Sequence, residues 1–235
     1  MAATITLTRP PVGSRTVAPR LENGDRLTRA EFERRYLAMP DLKKAELIEG
    51  MVHMPSPVSR PHATAHADLI TWLGAYRAAT PGTEIADNAT VRLDLDNEPQ
   101  PDVLLRILPQ AGGQTRDSAE DYVEGAPELV AEIASSSASY DLHEKKRAYR
   151  RNRVREYLVW LVNEQRLEWW EWREGEYVSL PVERGVIRSR VFPGLWLEVA
   201  ALVEGRSADV LARLERGLRS EEYAAFAARL GSRVR

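Results

Sequence analysis

The chain has 235 residues and no cysteine, and 43% of its residues are hydrophobic while 29% are charged. This composition excludes a disordered chain, a disulfide framework and a thiolate zinc site, and the length predicts one globular domain with decorations. The formal net charge of -2 excludes a globally basic nucleic-acid binder, so any affinity for a polyanion has to come from local patches.

The first third of the chain predicts an arm, a helix, a hairpin and a second helix. Residues 1–24 are rich in proline, glycine and arginine and are predicted to form a flexible arm. A helix is predicted from about 29 to 38, and residues 46–54 predict two short strands that turn at Gly50. Residues 62–79 carry apolar side chains at helical spacing and predict a longer helix.

Most of the predicted strands lie in the middle of the chain. They are 83–86, 89–95, 101–107, 127–134, 154–162 and the two arms of a hairpin, 166–172 and 176–182. A helix over about 141–152 separates two of them, so a mixed α/β sheet with a crossover helix is predicted. The main domain is expected to span 25–200, and residues 201–235 are predicted to form a C-terminal helical extension.

Two acidic residues lie in strand-like settings. Asp102 follows Pro101 and precedes Val103-Leu104-Leu105, and Glu132 lies inside an apolar run. A carboxylate within an apolar strand is costly to bury unless a partner or a metal compensates its charge. Two such carboxylates indicate a divalent-metal site of the kind used in phosphodiester hydrolysis.

The helix after Glu132 places a lysine where an apolar side chain is expected. Leu142 and Tyr149 are a heptad apart and mark its packing stripe, and Lys145 falls in the middle of that stripe. Asp141 and Lys145 are four residues apart and share a face. A lysine that points toward the sheet can reach the carboxylates at its edge.

The chemistry assigns a role to each of these residues. A hard cation held by Asp102, Glu132 and the backbone carbonyl of Ile133 would neutralise charge on the phosphate and acidify its water. Lys145 would orient the water or stabilise the developing charge. Glu49, just before the Gly50 turn, is predicted to be a further member of the site through a bound water.

Each residue also has a structural interpretation. Pro-Asp is a common turn dipeptide, which suits Asp102. Glu132 can pair with an arginine at a sheet edge, and Lys145 can extend its amine to solvent. Considered together and in this order, the three residues favour the metal site.

Several segments carry a resemblance to a known family. They are Glu46-Leu47-Ile48-Glu49-Gly50, Pro57 through His62, Pro101-Asp102-Val103, Gly125 through Val130, Glu132 through Ser137, then Asp141, Lys145 and Tyr149, and Val154 through Val159. Over about residues 25–200 the chain resembles the Uma-type restriction endonuclease family of the PD-(D/E)XK nuclease superfamily. The set of motifs is specific, although each alone is weak.

The resemblance implies a restriction-endonuclease-like mixed sheet flanked by helices, Mg²⁺ or Mn²⁺ as cofactor, DNA as substrate and, by analogy, a homodimer. Asp102 and Glu132 would be metal ligands. The superfamily's usual lysine position is Ala134 here, so Lys145 would supply that lysine from the helix. His62, Ser135 and Asp141 fall in matching segments and would support the site.

A dense basic run follows the proposed catalytic lysine. Lys146, Arg147, Arg150 and Arg151 are predicted to contact the DNA backbone, and a solvated helix face is the alternative. His62 and His66 have a spacing that can bind zinc, but no third ligand is near in the sequence. Trp169, Trp170 and Trp172 favour sheet core or a subunit contact over base stacking.

The sequence therefore predicts a metal-dependent endonuclease that hydrolyses DNA phosphodiester bonds. A catalytically inactive DNA-binding or interaction module on the same fold is the alternative, and a structural subunit assembled through the tryptophan strand is a third hypothesis. Duplex DNA, single-stranded DNA and RNA remain open as substrates. No apolar run is long enough for a membrane-spanning helix or a signal-peptide core, so a cytoplasmic location is expected.

Overall fold

A computed structural model describes residues 18–135 and 137–234 of the chain. The helices in this part are α1 (Arg29–Leu37), α2 (Arg60–Ala79), α3 (Ala138–Tyr140), α4 (Lys146–Arg151), α5 (Val199–Val203), α6 (Ser207–Leu218) and α7 (Glu221–Val234). A π-helical turn, Asp141–Lys145, joins α3 to α4, and Pro109–Ala111 forms a 3-10 turn.

The strands form one large sheet and three small ones. In chain order they are β1 (Glu46–Ile48), β2 (Met51–His53), β3 (Thr83–Asp87), β4 (Val91–Arg92), β5 (Val103–Ile107), β6 (Arg116–Asp117), β7 (Val123–Glu124), β8 (Leu129–Ala134), β9 (Glu156–Leu161), β10 (Arg166–Arg173), β11 (Glu176–Ser179), β12 (Val186–Arg188) and β13 (Trp196–Glu198). The six-stranded sheet has the spatial order β11-β10-β9-β8-β5-β3. The small sheets are β1-β2, β12-β13 and β4-β7-β6.

The large sheet is mixed because one of its strand pairs is parallel. β8 and β9 run parallel, while the other neighbours in this sheet pair antiparallel. The connection from β8 to β9 passes through α3, the π turn and α4. The predicted mixed sheet with a crossover helix is therefore confirmed, whereas β6, β7, β12, β13 and α5 were not predicted.

Apolar clusters cover both faces of the sheet. Alternate residues of β8 point to opposite faces, so Leu129, Ala131 and Ile133 join a cluster that contains α2, while Val130 and Ala134 join the cluster that contains Tyr149. By the same alternation Glu132 faces the side that carries Tyr149. The crossover helix thus packs on the sheet face from which Glu132 projects.

The tryptophans of β10 belong to the core. Trp169 lies in the first cluster and Trp170 in the second, so these neighbours fill both faces of the sheet. The indole N–H of Trp172 donates to the main-chain oxygen of Arg150. The prediction that this strand serves the sheet core is confirmed for Trp169 and Trp170.

Strand register brings the two predicted acids together. In the β5–β8 ladder Val103 pairs with Ala131, and extending the same register by one residue sets Asp102 opposite Glu132. β5 itself begins at Val103, two residues later than predicted. At this position the hydrogen bond to β8 is made by a side chain instead of the main chain. Asp102 Oδ2 accepts the N–H of Ile133 at 2.7 Å.

Local chemistry explains the other boundary differences. α2 begins at Arg60 because the Ser59 hydroxyl caps it and Pro61 suits a first helical turn. The strand predicted over 89–95 shortens to β4, since the N–H of Leu93 bonds back to the Asn97 carbonyl in a turn. These changes alter strand and helix ends without changing the order of the elements.

The two chain ends of the domain pack differently from the central sheet. The predicted flexible arm over residues 1–24 lies outside the described residues up to position 17, and Leu21 is buried in a small cluster with Phe32 and Leu47. α6 and α7 bury apolar side chains in the same cluster as α2. No helix among the described residues is long and apolar enough to cross a membrane.

A buried glutamate ties the β12–β13 connection to the sheet. Glu156 opens β9 and is fully buried. Its Oε1 accepts the N–H groups of Arg190 at 2.6 Å and Val191 at 3.0 Å, and the Ser189 hydroxyl lies 2.8 Å from Oε2. One carboxyl group thus satisfies several donors of one loop.

We expect Glu156→Ala to lower the free energy of unfolding by about 2–4 kcal/mol, because the loop donors lose their acceptor in a buried place. Urea unfolding monitored by tryptophan fluorescence measures the change. Glu164→Ala is the matched control, since Glu164 forms an exposed pair with Arg166 and should cost no more than about 0.5 kcal/mol. Equal effects of the two substitutions would contradict the role of Glu156.

The same residue predicts a pH dependence of stability. Burial raises the pKa of Glu156 to about 7 from an ordinary value of 4.5. Between these pH values the native state keeps a proton that the unfolded state has released, so rising pH destabilises the native state. The unfolding free energy of the wild type should fall by about 3 kcal/mol relative to Glu156→Gln as pH rises from 4.5 to 8. If the unfolding free energies of the two proteins change with pH in parallel, the raised pKa of Glu156 is contradicted.

Candidate active site

A cleft of about 650 Å³ opens where β5 begins, β8 ends and the β1–β2 hairpin meets α2. Most of the residues that the sequence assigned to the site line this cleft. They are His62, Asp102, Glu132, Ile133, Ser135, Asp141 and Lys145. Glu49 and the four predicted DNA-binding residues of the crossover helix do not line it.

The central contact of the cleft joins the sheet to the crossover helix. Lys145 Nζ lies 2.9 Å from Glu132 Oε1, and the Tyr149 hydroxyl donates to the same oxygen at 2.8 Å. Glu132 is 2% exposed and Lys145 is 4% exposed. Because Asp141–Lys145 is a π turn, the helix is locally widened where the lysine enters, a feature that is common at functional sites.

Lys145 is the centre of a ring of carboxylates. Its Nζ lies 3.0 Å from Glu46 Oε1 and 3.9 Å from Asp141 Oδ1, in addition to the contact with Glu132. Burial by itself lowers the pKa of a lysine, but here the nearby carboxylates outweigh it and raise the pKa of Lys145 well above its usual value. Lys145 is therefore a permanent cation at the floor of the cleft.

One lysine does not neutralise all the acids around it. Burial raises the pKa of Glu132 to about 8 against the opposing effect of Lys145, and burial raises the pKa of Asp141 to about 6. Burial also acts on Glu46, but Lys145 and Lys44 outweigh it and lower the pKa of that carboxyl. An excess of buried carboxyl groups is an environment in which a further cation would be stabilised.

Asp102 has one oxygen committed to the fold and one directed to the cleft. Its Oδ2 accepts the Ile133 N–H, whereas its Oδ1 lies 3.7 Å from His62 Nε2 and 3.9 Å from Lys44 Nζ. Within the described part of the chain, no side chain or main chain donates a hydrogen bond to Oδ1. The main-chain oxygen of Asp102 accepts from His66 Nε2 at 2.9 Å, which fixes the backbone at this position.

The oxygen donors of the cleft fit a hard divalent cation. Asp102 and Glu132 line the same cleft, and the Ile133 carbonyl is directed to the same side as its N–H because both groups of a strand residue face one neighbour. Mg²⁺ and Mn²⁺ favour such oxygen ligands and keep several waters. Among residues 18–135 and 137–234 there is no group of three or more acidic or histidine side chains placed to hold a metal. Main-chain oxygen and water would therefore complete the coordination.

The same geometry bears on the zinc hypothesis for His62 and His66. Their ring centroids are 6.1 Å apart. His66 Nε2 is already engaged by the Asp102 carbonyl and lies 3.1 Å from Asp87 Oδ1. The pair gains no support as a zinc site, and His62 instead faces the cleft beside Asp102.

Glu49 is not where the sequence interpretation put it. It has a left-handed backbone with φ of 50°, and its carboxylate pairs with Arg147 at 2.7 Å outside the cleft. Glu46, three residues earlier, supplies the acid of this hairpin to the site. The available signal was its position at the start of an apolar strand, the same setting that had singled out Glu132.

The predicted DNA-binding residues each have a partner within the protein. The pairs are Lys146 with the ring of Trp170, Arg147 with Glu49, Arg150 with Glu176, and Arg151 with Asp94. These contacts neutralise most of the positive charge of α4. A role of this helix in DNA binding therefore stays a prediction, one that the local pairing does not favour.

Other lining residues had no assignment from sequence. Lys43 and Lys44 precede β1, and Met54–Ser59 connects β2 to α2. The ring of Tyr140 lies against His53, with centroids 4.2 Å apart. Of these residues only Pro57 to Ser59 fall in a segment with a family resemblance, and the three-dimensional structure brings all of them to the site.

Comparison with known proteins supports the same interpretation of the fold. A model of the Uma2 family, described as putative restriction endonuclease, matches residues 29–200. The crystal structure of a putative nuclease belonging to DUF820 from Anabaena variabilis ATCC 29413 superimposes with a TM-score of 0.56 at 11% identity, over 72% of this chain and 97% of that chain. At this identity the likeness establishes the fold alone. No curated protein matches the chain.

We expect Lys145→Met to destabilise the protein by about 3–5 kcal/mol near pH 8, since it leaves buried carboxylates without their cation. The loss should shrink near pH 5, where the raised pKa values of Glu132 and Asp141 keep those groups protonated. Urea unfolding at both pH values measures it. Lys43→Met, on an exposed lysine, is the control with little expected change. A loss independent of pH would contradict the electrostatic explanation.

Proposed function

Because the chain belongs to the Uma2 family of putative restriction endonucleases, we propose that it is a metal-dependent endonuclease that hydrolyses phosphodiester bonds of DNA. The family match supports a restriction-endonuclease-like nuclease, a hydrolase acting on nucleic acids. The metal dependence and the DNA substrate are the proposed part. The observation that carries them is the meeting of Asp102, Glu132 and Lys145 at the floor of one cleft.

Asp102 Oδ1, Glu132 and the Ile133 carbonyl would hold the ion, with Mg²⁺ expected and Mn²⁺ as a substitute. Such an ion, when bound, neutralises charge on the phosphate and lowers the pKa of water that attacks it. Asp102 is suited to this task because its other oxygen is fixed by the Ile133 N–H at 2.7 Å. The carboxylate is thus held in one orientation before substrate arrives.

Lys145 would stabilise the negative charge that develops on the phosphate. Its ammonium stays charged among three carboxylates and lies 2.9 Å from Glu132, the second proposed ligand. It therefore takes the part of the lysine for which Ala134 offers no side chain. Asp141 restrains this amine and in turn accepts the Ser137 hydroxyl at 2.5 Å. His62 and Ser135 line the cleft beside these groups and are proposed to support them.

The alternative is a catalytically inactive module that binds nucleic acid on the same fold. In that case Asp102 serves only as an acceptor for the Ile133 N–H, and Lys145 only as a counter-ion for Glu132. The homodimer and the cytoplasmic location remain predictions. The two functions differ in metal binding and in hydrolysis, which one set of variants can test.

We expect hydrolysis of labelled DNA, offered as single strands, duplex and supercoiled plasmid, to require Mg²⁺ or Mn²⁺. Asp102→Asn and Glu132→Gln should each slow it by about 100-fold or more, because each removes a charged ligand. Isothermal titration with Mn²⁺ should show binding to the wild type that both variants weaken.

Asp121→Asn is the matched control, since Asp121 is exposed and its φ of 62° suits asparagine equally well. Circular dichroism and urea unfolding verify that each variant is folded. Cleavage that survives EDTA, or that folded Asp102→Asn and Glu132→Gln retain, would overturn the proposed function. Nucleic-acid binding without any hydrolysis would favour the inactive module.

A further inference from the structure

We propose that the cleft accepts single-stranded DNA rather than an intact duplex. This inference rests on the proposed nuclease function and names the form of its substrate. Three features of the cleft support it: its depth and size, the chemistry of its lining, and the distribution of cations around it.

The reacting groups lie too deep for a phosphate on the outside of a duplex. Asp102, Glu132 and Lys145 are 8%, 2% and 4% exposed, so a scissile phosphate has to enter the cleft to meet them. The cleft volume of about 650 Å³ equals that of a cube about 9 Å on edge, whereas the two backbones that border the major groove of B-DNA lie about 12 Å apart, so the cleft does not accept both. A single strand can enter such a space, but a duplex can enter only if its two strands separate or the cleft widens.

The lining of the cleft has an apolar part that a duplex could not use. The connection Met54–Ser59 contributes Met54, Pro55, Pro57 and Val58, and Val58 is 69% exposed although it is apolar. In a duplex the bases are stacked inside the helix, and the phosphates face the protein. A single strand exposes the faces of its bases, and contact of these faces with apolar side chains stabilises the bound strand.

The available cations suit a short stretch of backbone. Lys43 and Lys44 line the cleft, and Lys43 forms no ion pair with any residue that the structure describes. Lys44 Nζ lies 3.9 Å from Asp102 Oδ1, beside the reacting groups. A duplex-binding protein can engage about six to ten phosphates. Here Arg147, Arg150 and Arg151 of α4 already pair with carboxylates, and the lysines that line the cleft are Lys43, Lys44 and Lys145.

These features define how the strand would lie. Phosphates of one or two nucleotides would contact Lys43 and Lys44, and the bases would rest against the Met54–Ser59 connection. The phosphate that links the nucleotides at the lysines to those at the Met54–Ser59 connection would then reach Asp102 and Lys145 at the floor of the cleft. A duplex with a single-stranded tail could bind in the same way through its tail.

The test presents one labelled strand in three forms: alone, in a blunt duplex, and with a shorter complement that leaves a tail. With Mn²⁺ or Mg²⁺ we expect hydrolysis of the single strand at least about tenfold faster than that of the blunt duplex. In the third form the cuts should map to the tail. Blunt duplex cut internally as fast as the single strand would overturn the inference while leaving the nuclease function intact.

Binding keeps the inference testable if no DNA is cut. Fluorescence anisotropy should show tighter binding of the single strand than of the blunt duplex. Equal or tighter binding of the duplex overturns the inference. Absence of hydrolysis for all three forms would instead overturn the nuclease function.

A pair of variants tests the apolar lining directly. Val58→Glu places an anion where bases are proposed to rest and should raise the KM for the single strand by about fivefold. Val182→Glu makes the same change on an exposed valine outside the cleft, which is 61% exposed, and should leave the KM unchanged. Equal effects of the two variants, or none from Val58→Glu, would count against the proposed contact.

Discussion

The ion pairs of Lys145 hold the candidate active site together. A single ammonium contacts Glu132 from the sheet, Glu46 from the β1–β2 hairpin and Asp141 from its own helical segment. Burying these charges is costly, and the mutual contacts offset that cost only while all members are in place. The same contacts that fix the hairpin and the crossover helix on the sheet also set the position of the acids at the cleft floor.

Sequence reasoning selected the candidate residues that stand out by local pattern, and the structure brings them to one cleft. Asp102 and Glu132 stood out because each is an acid in an apolar strand, and Lys145 because it interrupts an apolar helix stripe. The order of strands and helices followed from periodicity in the same way. Their meeting at one place rests on the β5–β8 register, which periodicity alone does not specify.

The placements that the sequence did not anticipate depend on contacts between distant parts of the chain. Glu49 and Glu46 are close in sequence, and only the hairpin turn determines which of them faces Lys145. Arg147 looked like a free cation, yet its partner Glu49 lies 98 positions away. A charge run in sequence gives the number of positive groups, but their partners become known only when the chain is folded.

The crossover connection has a consequence for how the site assembles. Lys145 and Glu132 are 13 positions apart, whereas Asp102 and Ile133 are 31 apart. Glu46 is separated from Lys145 by a still longer stretch of chain. Contacts between nearby positions cost less chain entropy and tend to form earlier in folding. The β8-to-β9 unit can therefore form its lysine–glutamate pair as a local event. The hairpin that carries Glu46 would then dock onto a site in which this pair has already formed.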